Sequence, residues 1–441
     1  MENLFKKIEE SSMAKVFIIA FLILLFIIPN EMIKGLITER KNNEQKVIKE
    51  ISSKWGTAQI IAAPYLTVPY IRKKTLTING KEELRYFDDE IQILPKRLDI
   101  TGKLVPVSRK TGIYKAILYD ADLHFTGNFD FPDLKELEID SSSIKWDKIT
   151  FNVGISDMNG IKETIIVDFN GIDNVNLEPG LQGEIMNSGT SATIKVKPED
   201  FQDNAAFDFD LKLRGSESIS FIPLGKTTSV DISSTWDSPS FQGNFIPDKR
   251  DISQSGFAAK WNILDLNRNY PQYWIGDNYD VMKSKFGVQL IKTVSEYQKN
   301  MRTVKYSILI IVLVFFIYFF FEVLGKFKIH PIQYMFIGLA LTLFFVLLLS
   351  LSEQIGFNYA YLVSAVATAI MILIYSSAFL KNKRQLVLLS ALLVTIYGFI
   401  FVVLQMEDYA LLVGSTGLFV ALFATMYYSR KIDWYKVSLK T

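Results

Sequence analysis

The chain contains no cysteine. That absence excludes disulfides, zinc–thiolate sites, iron–sulfur clusters and thiol nucleophiles, and it leaves the compartment open. Histidine is nearly absent as well, with only His124 and His330. A multi-histidine metal site therefore cannot be built within one chain. Nor is there an excess of charge of either sign. The 48 Lys and Arg stand against 46 Asp and Glu, a net charge of +2. That balance gives no global attraction for nucleic acid or any other polyanion. No phosphate-cradling glycine loop and no carboxylate cluster at metal-ligand spacing occurs, so no cofactor and no metal are expected.

What is present is two materials joined. Residues 1–37 and 306–428 are mostly apolar, while about 38–304 carry charge and turns throughout. A helix needs about 20 mostly apolar residues to cross the hydrocarbon core of a bilayer. Six stretches qualify: roughly Ala14 to Ile33, Tyr306 to Leu324, Ile332 to Leu351, Ala360 to Leu380, Leu386 to Gln405 and Ala410 to Tyr428. The first follows Lys6, Lys7 and Lys15 but continues as IIPNEM, without a small-x-small cleavage site. It reads as an uncleaved signal anchor.

Lysine and arginine in the short loops set the orientation. Lys326 and Lys328 occupy one loop, Lys381, Lys383 and Arg384 another, and Arg430, Lys431, Lys436 and Lys440 the tail. The alternate loops hold Glu353 in one case and Glu407 with Asp408 in the other, with no basic residue. Both termini are thus expected in the cytoplasm, and residues 38–304 outside it. On this reading Glu353 falls at the far edge of its span, in a wet hairpin flanked by Tyr359 and Tyr361. Glu322 ends the second span four residues before Lys326, a spacing that pairs on a helix. No other span carries an ionisable residue at mid-depth, which argues against an ion pump or proton-coupled transporter. Ser364, Ala365, Thr368 and Ala369 recur at four-residue spacing and suit helix packing.

The outer segment changes period. Ile33, Ile37, Val47, Ile48, Ile51 and Trp55 fall near helical spacing, with Gly56 as a stop. Phe286, Leu290, Val294, Tyr297 and Met301 do the same, so two juxtamembrane helices are expected, a paired stalk that acts as spacer or signal lever. Between them AAFDFDLKL alternates Phe207, Phe209, Leu211 and Leu213 with Asp208, Asp210 and Lys212, and SISFIPL returns after GSES as a hairpin. AILYDADLHF, SVDISSTW, TIKVK and TIIVDF also read as strands.

The expected fold is therefore an α+β membrane protein. Six transmembrane helices, one N-terminal and five C-terminal, flank a large all-β, sandwich-like periplasmic domain. The boundaries read as 1–37 tail and anchor, 38–56 helix, 57–280 β domain with two halves meeting near 140–160, 281–305 helix, 306–428 bundle and 429–441 tail.

Catalytic patterns are weak. Ser142 with Lys145, and Ser12 with Lys15, match S-x-x-K but lack the further motifs of such enzymes. GSTG at 414–417 is similar to the serine motif of intramembrane proteases, yet no span supplies a histidine base. His124 lies on the polar face of its strand, and His330 precedes Pro331 at a span boundary.

Two frames resemble a known family. HPIQYMFIGLALTLFFVLLLSLSEQIGFNYAY is similar to a segment of the CreD family of bacterial inner-membrane proteins. So is LRGSESISFIPLGKTTSVDISSTWDSPSFQGNFIPDKRDISQSGFAAKW. A third, shorter match runs through Ile37, Glu39, Arg40, Trp55, Pro64, Val68, Pro69 and Tyr70. The positions carried as candidate functional residues are Gly215, Pro223, Gly225, Trp236, Pro239, Phe241, Gly243, Arg250, Gly256, Trp261, His330, Pro331, Gln333, Tyr334, Glu353 and Gly356.

The resemblance implies an inner-membrane protein of the cell envelope, linked to envelope integrity, colicin tolerance and a sensor-kinase regulon, with no established reaction. The expected role is non-enzymatic. The partners would be the lipid bilayer and an unidentified envelope protein or ligand, bound on the run from Gly215 to Trp261. The alternative is an enzyme or carrier for a lipid or glycan, with a polar pocket near Glu353, Glu407 and Asp408.

Overall fold

The computed structural model describes residues 12–78, 81–183, 185–196, 205–276, 279–290, 296–325, 328–380, 382–406 and 409–430. The chain divides into two compact units, residues 1–44 with 294–441 and residues 45–293.

The first unit is helical. Helix α1 (Ser12–Leu25) is followed by α2 (Ile27–Trp55), which runs on into the second unit. The break at Phe26 has a local cause. Pro29 has no N–H for the carbonyl of Leu25, and its ring crowds that carbonyl. After α3 (Glu296–Lys305) and α4 (Ser307–Gly325) come α5 (Pro331–Ile355), α6 (Phe357–Ser377), α7 (Lys383–Gln405) and α8 (Ala410–Ser429). Among the described residues four helical stretches are long and apolar enough to cross a membrane: Ala14–Trp55, α5, α6 and α7. The pair α3 and α4, bent by 40°, is a fifth if counted as one span. Their inner faces bury Phe26, Phe315, Tyr334, Leu341, Phe344 and Leu393, yet Phe17, Phe21, Leu343, Leu362, Ile370 and Val394 stand exposed. A helix apolar on both faces has hydrocarbon as its outer solvent.

The second unit is built from two sheets. One contains β1 (Gln59–Ile78), β2 (Lys81–Ile93), β5 (Ile149–Ile155), β8 (Glu178–Pro179), β9 (Gly189–Ile194), β11 (Ser218–Phe221), β13 (Pro239–Gly243), β16 (Tyr273–Ile275) and β17 (Phe286–Leu290). Its order is β13-β17-β11-β1-β5-β9-β8, with β2 paired to both β1 and β16. The other contains β3 (Arg97–Thr111), β4 (Tyr114–Phe129), β6 (Ile166–Phe169), β7 (Ile172–Asn176), β10 (Ala205–Ser216), β12 (Thr227–Ser234), β14 (Lys249–Ser253) and β15 (Gly256–Leu264). Its order is β14-β15-β12-β3-β4-β10-β6-β7.

The alternation in β10 is followed closely: Phe207, Phe209, Leu211 and Leu213 are buried, and Asp208, Asp210 and Lys212 are exposed. Phe125 stacks on Phe209 across β4 and β10, with ring centroids 4.8 Å apart. Phe151 of the opposite sheet meets Phe129, Phe207 and Phe209 edge-on at 5.9–6.2 Å. These rings knit the two sheets into one core, and burying each is worth about 1.5–3 kcal/mol.

Three expectations are corrected here. Phe286 and Leu290 lie on a strand, not a helix: Phe286, Val288 and Leu290 are buried alternately between β11 and β13. An i, i+4 apolar pair fits both periods, and the sheet decides between them. Val294 lies outside the described residues. The segments AAFDFDLKL and SISFIPL do not form a hairpin. Glu217, at φ 62°, passes the chain from one sheet to the other, where β11 pairs with β1 and β17. Nor does the domain divide near 140–160, because each sheet contains strands from before and after that point.

The C-terminal end of α2 is built into this unit. The guanidinium of Arg214 lies 4.4 Å and that of Arg109 4.8 Å from the Trp55 ring centroid. The helix ends at Trp55, and Gly56 follows at φ 145°, where a side chain would collide with the Arg214 carbonyl. The next residue, Thr57, donates its N–H and hydroxyl to Asp157 at 2.8 and 2.7 Å. Burial alone would raise the Asp157 pKa. The Thr57 donors and the Asn159 N–H outweigh it and hold the carboxyl below the ordinary aspartate range.

Candidate functional site

Within the helical unit the polar groups gather at the two ends of α5. At its C-terminal end the last turn carries Ser352 and Glu353, and Gly356 at φ 79° closes α5 and opens α6. The backbone has to reverse between two apolar helices in a single residue, and glycine reaches this conformation without Cβ strain.

The turn is held from another helix. The first turn of α6 leaves backbone N–H groups unpaired. The N–H of Phe357 donates 2.8 Å to the Glu296 carboxylate of α3. That carboxylate is a helix cap delivered from sixty-one residues away, and a negative group there also complements the helix dipole. The Tyr297 hydroxyl donates to Glu353 at 2.9 Å, and the Asn300 amide donates to the Ser352 hydroxyl at 2.8 Å. Arg40 of α2 lies 4.0 Å from the same oxygen of Glu353. The Lys299 ammonium sits 5.8 Å over the Phe357 ring. Glu296, Tyr297 and Asn300 share one face of α3 by helical spacing. Glu353 is therefore not in a wet hairpin: its side chain is only 11% exposed. Burying a carboxylate there is offset only by partners of this kind. Of the flanking tyrosines, Tyr359 is exposed, while Tyr361 is buried and donates to the Tyr397 carbonyl at 2.8 Å. Glu407 and Asp408 lie outside the described residues.

At the other end of α5, His330 caps the helix. Its ring nitrogen accepts from the Ile332 N–H at 3.3 Å, its own N–H donates to the Gln333 side chain at 2.9 Å, and Pro331 occupies the first turn. Tyr334 is buried against Phe315 and donates its hydroxyl to Glu322 at 3.4 Å. The partner expected for Glu322, Lys326, lies outside the described residues. Lys15 of α1 forms an ion pair with Glu322, which also accepts from the Ile329 N–H at 3.2 Å.

In the β unit the candidate positions are mostly structural in placement. Gly215 lies in β10 against the Tyr119 ring, where a side chain would overlap it. The Pro223 carbonyl accepts from Tyr270 at 3.0 Å, and Gly225 fits tightly against the Thr227 carbonyl. Trp261 is buried, donates to the Phe245 carbonyl at 3.3 Å, and meets Phe241 edge-on. The half-buried Trp236 donates to the Ser238 carbonyl at 3.1 Å. Pro239 pairs with Leu290 at the start of β13, Gly243 ends that strand at φ 98°, and Gly256 turns β14 into β15 at φ 137°. Arg250 is exposed on β14, and Ile246 is 79% exposed. The aromatics of this run thus pack inward, and its exposed groups include Gln242, Asn244, Ile246, Asp248, Lys249 and Arg250.

The match of Ser142 with Lys145 is not assembled as a pair: Ser142 sits in a single 3-10 turn and Lys145 bonds Asp88 at 2.5 Å. In the other match, Lys15 is engaged by Glu322. His124 is exposed, 2.8 Å from Asp210 and 3.7 Å from Asp208. Glu296, Asn300 and the pairing of Lys15 with Glu322 escaped sequence reading, because the partners are remote in the chain and no local pattern marks them.

Apolar helices whose outer faces suit hydrocarbon, in one chain with a two-sheet β unit, define a multi-pass membrane protein with a large β-rich domain. The family described as inner membrane protein CreD matches residues 11–435. A curated relative, inner membrane protein CreD of Escherichia coli (strain K12), is 32% identical over 425 residues, which cover 95% of this chain and 92% of the relative. The chain belongs to the CreD family.

Proposed function

We propose that this protein is a non-enzymatic component of the bacterial inner membrane that supports envelope integrity or stress response. Its β unit, about residues 57–290, binds an envelope protein or ligand on the periplasmic side, and α2 and α3 carry the consequence to the membrane helices. The observation that carries the reading is the contact of α3 with the α5–α6 turn. Glu296, Tyr297 and Asn300 bond the Phe357 N–H, Glu353 and Ser352. A helix that merely spaced two parts of a chain would not need three directed bonds to a turn between spans. Six spans complete the topology, with α8 as the last and both termini in the cytoplasm. The basic residues of the short loops, Lys328, Lys383 and Arg384 among them, support that orientation.

The test is in-cell photocrosslinking with the probe placed in turn at Ile246, Arg250 and Glu353. A discrete protein adduct at Ile246 or Arg250 supports a binding role and identifies the partner by mass. A lipid or glycan adduct at Glu353, with nothing at the other two, overturns it in favour of a membrane-face enzyme or carrier.

A further inference from the structure

A cavity of about 440 Å³ opens beside the start of α5, at the end of the helical unit away from Glu353. Lys15, Glu322 and Lys328 line it, together with Tyr334 and with Ile18 and Ile19 of α1. Glu322 is heavily engaged: it accepts from Lys15, from the Ile329 N–H and from the Tyr334 hydroxyl. An ionised carboxylate has about four lone-pair sites, so little of its acceptor capacity is left for an incoming group. Among the described lining residues two lysines stand against one glutamate, a formal charge of +1. The chemistry that fits is an oxygen-rich monoanion such as a phosphate ester.

A second observation indicates where that phosphate comes from. Ile332 lines the cavity and begins an apolar stripe on α5. Ile332, Phe336, Leu339, Leu343 and Val346 are all exposed, at 37–53%. They recur at helical spacing over about 21 Å of helix at 1.5 Å per residue. A charged cavity that opens onto an apolar track of that length matches a headgroup with its acyl chain, and a free anion has no use for the track. We propose that this cavity binds an anionic phospholipid, with the phosphate between Lys15 and Lys328 and an acyl chain along the Ile332–Val346 stripe. On the topology proposed above, the lipid belongs to the cytoplasmic leaflet. The binding itself needs only that the helices sit in a membrane.

The experiment uses the full-length protein in mild detergent, with phosphatidylglycerol, phosphatidylethanolamine or inorganic phosphate added separately. Native mass spectrometry reads retained lipid, and thermal melting reads stabilisation. Retention of one phosphatidylglycerol, with a rise in Tm that phosphatidylethanolamine does not match, is the expected result. Lys328→Glu, at an exposed position, should weaken that retention at least about tenfold. Equal retention of the two lipids overturns the proposal. So does an equal rise in Tm with inorganic phosphate, or undiminished retention in a Lys328→Glu protein that melts like wild type. If Lys328→Glu does not fold, the three ligands on the wild-type protein still decide. A protein adduct or a blank in the crosslinking test above leaves this result unaffected, so the two readings fail separately.

Discussion

Glu353 shows how a single side chain takes its meaning from its surroundings. In the sequence it is one charge between apolar runs. In the fold it accepts from Tyr297 at 2.9 Å with Arg40 at 4.0 Å. Removing the hydroxyl by Tyr297→Phe should cost about 1 kcal/mol, and Glu353→Ala about 1.5–3 kcal/mol. The double variant should cost less than the two losses added together. Denaturant melts of the four proteins in detergent measure this, and strict additivity would show that the pair does not act as a unit. Asp157 gives a pH signature in the β unit. Its folded pKa is depressed, so its contribution is present above the ordinary aspartate value and is lost as pH falls through the folded value. Asp157→Asn should be less stable than wild type near neutral pH, and the gap should close in acid. A gap that persists unchanged down to low pH would argue that the Thr57 bonds contribute through geometry alone.

At the scale of elements, small residues decide which helices touch. Gly338 of α5 faces the Phe26 ring, and a Cβ there would overlap it. Phe26 also meets Phe315 of α4 edge-on at 6.2 Å, so one ring ties the break between α1 and α2 to α4 and α5. Gly338→Val should lower the melting temperature through overpacking that costs about 1–3 kcal/mol. Phe26→Ala in the same chain should restore part of that loss, although each change alone destabilises. A double variant worse than either single would remove this contact from the account. The misread strand Phe286–Leu290 belongs to the same scale. Its apolar residues satisfy two periods, and only pairing with β11 and β13 selects one. By contrast β10 was legible, because four apolar residues alternating with three charged ones fit no helix.

For the whole molecule, the absence of cysteine becomes an instrument, since any introduced thiol is the only one. Ile246→Cys should react with a membrane-impermeant maleimide in intact cells. Arg384→Cys should react only after permeabilisation, and the reverse pattern would invert the proposed topology. The amino-acid sequence alone determined the division into apolar and polar stretches, the stop of α2 at Gly56, the inward faces of the long strands and the family. These are local or compositional properties: hydropathy, period and glycine conformation are written within a few neighbouring residues. The assignment of β10 and β11 to different sheets came only from the tertiary structure. So did the burial of Trp261 within the run read as a binding surface, and the pairing of Glu322 with Lys15. The capping of α6 by Glu296 was equally hidden. Each of these depends on which remote group can satisfy a buried polar atom or fill a gap in the core. That is a property of the packed chain, because the energy of a buried hydrogen bond or a packed ring exists only once its distant partner has arrived.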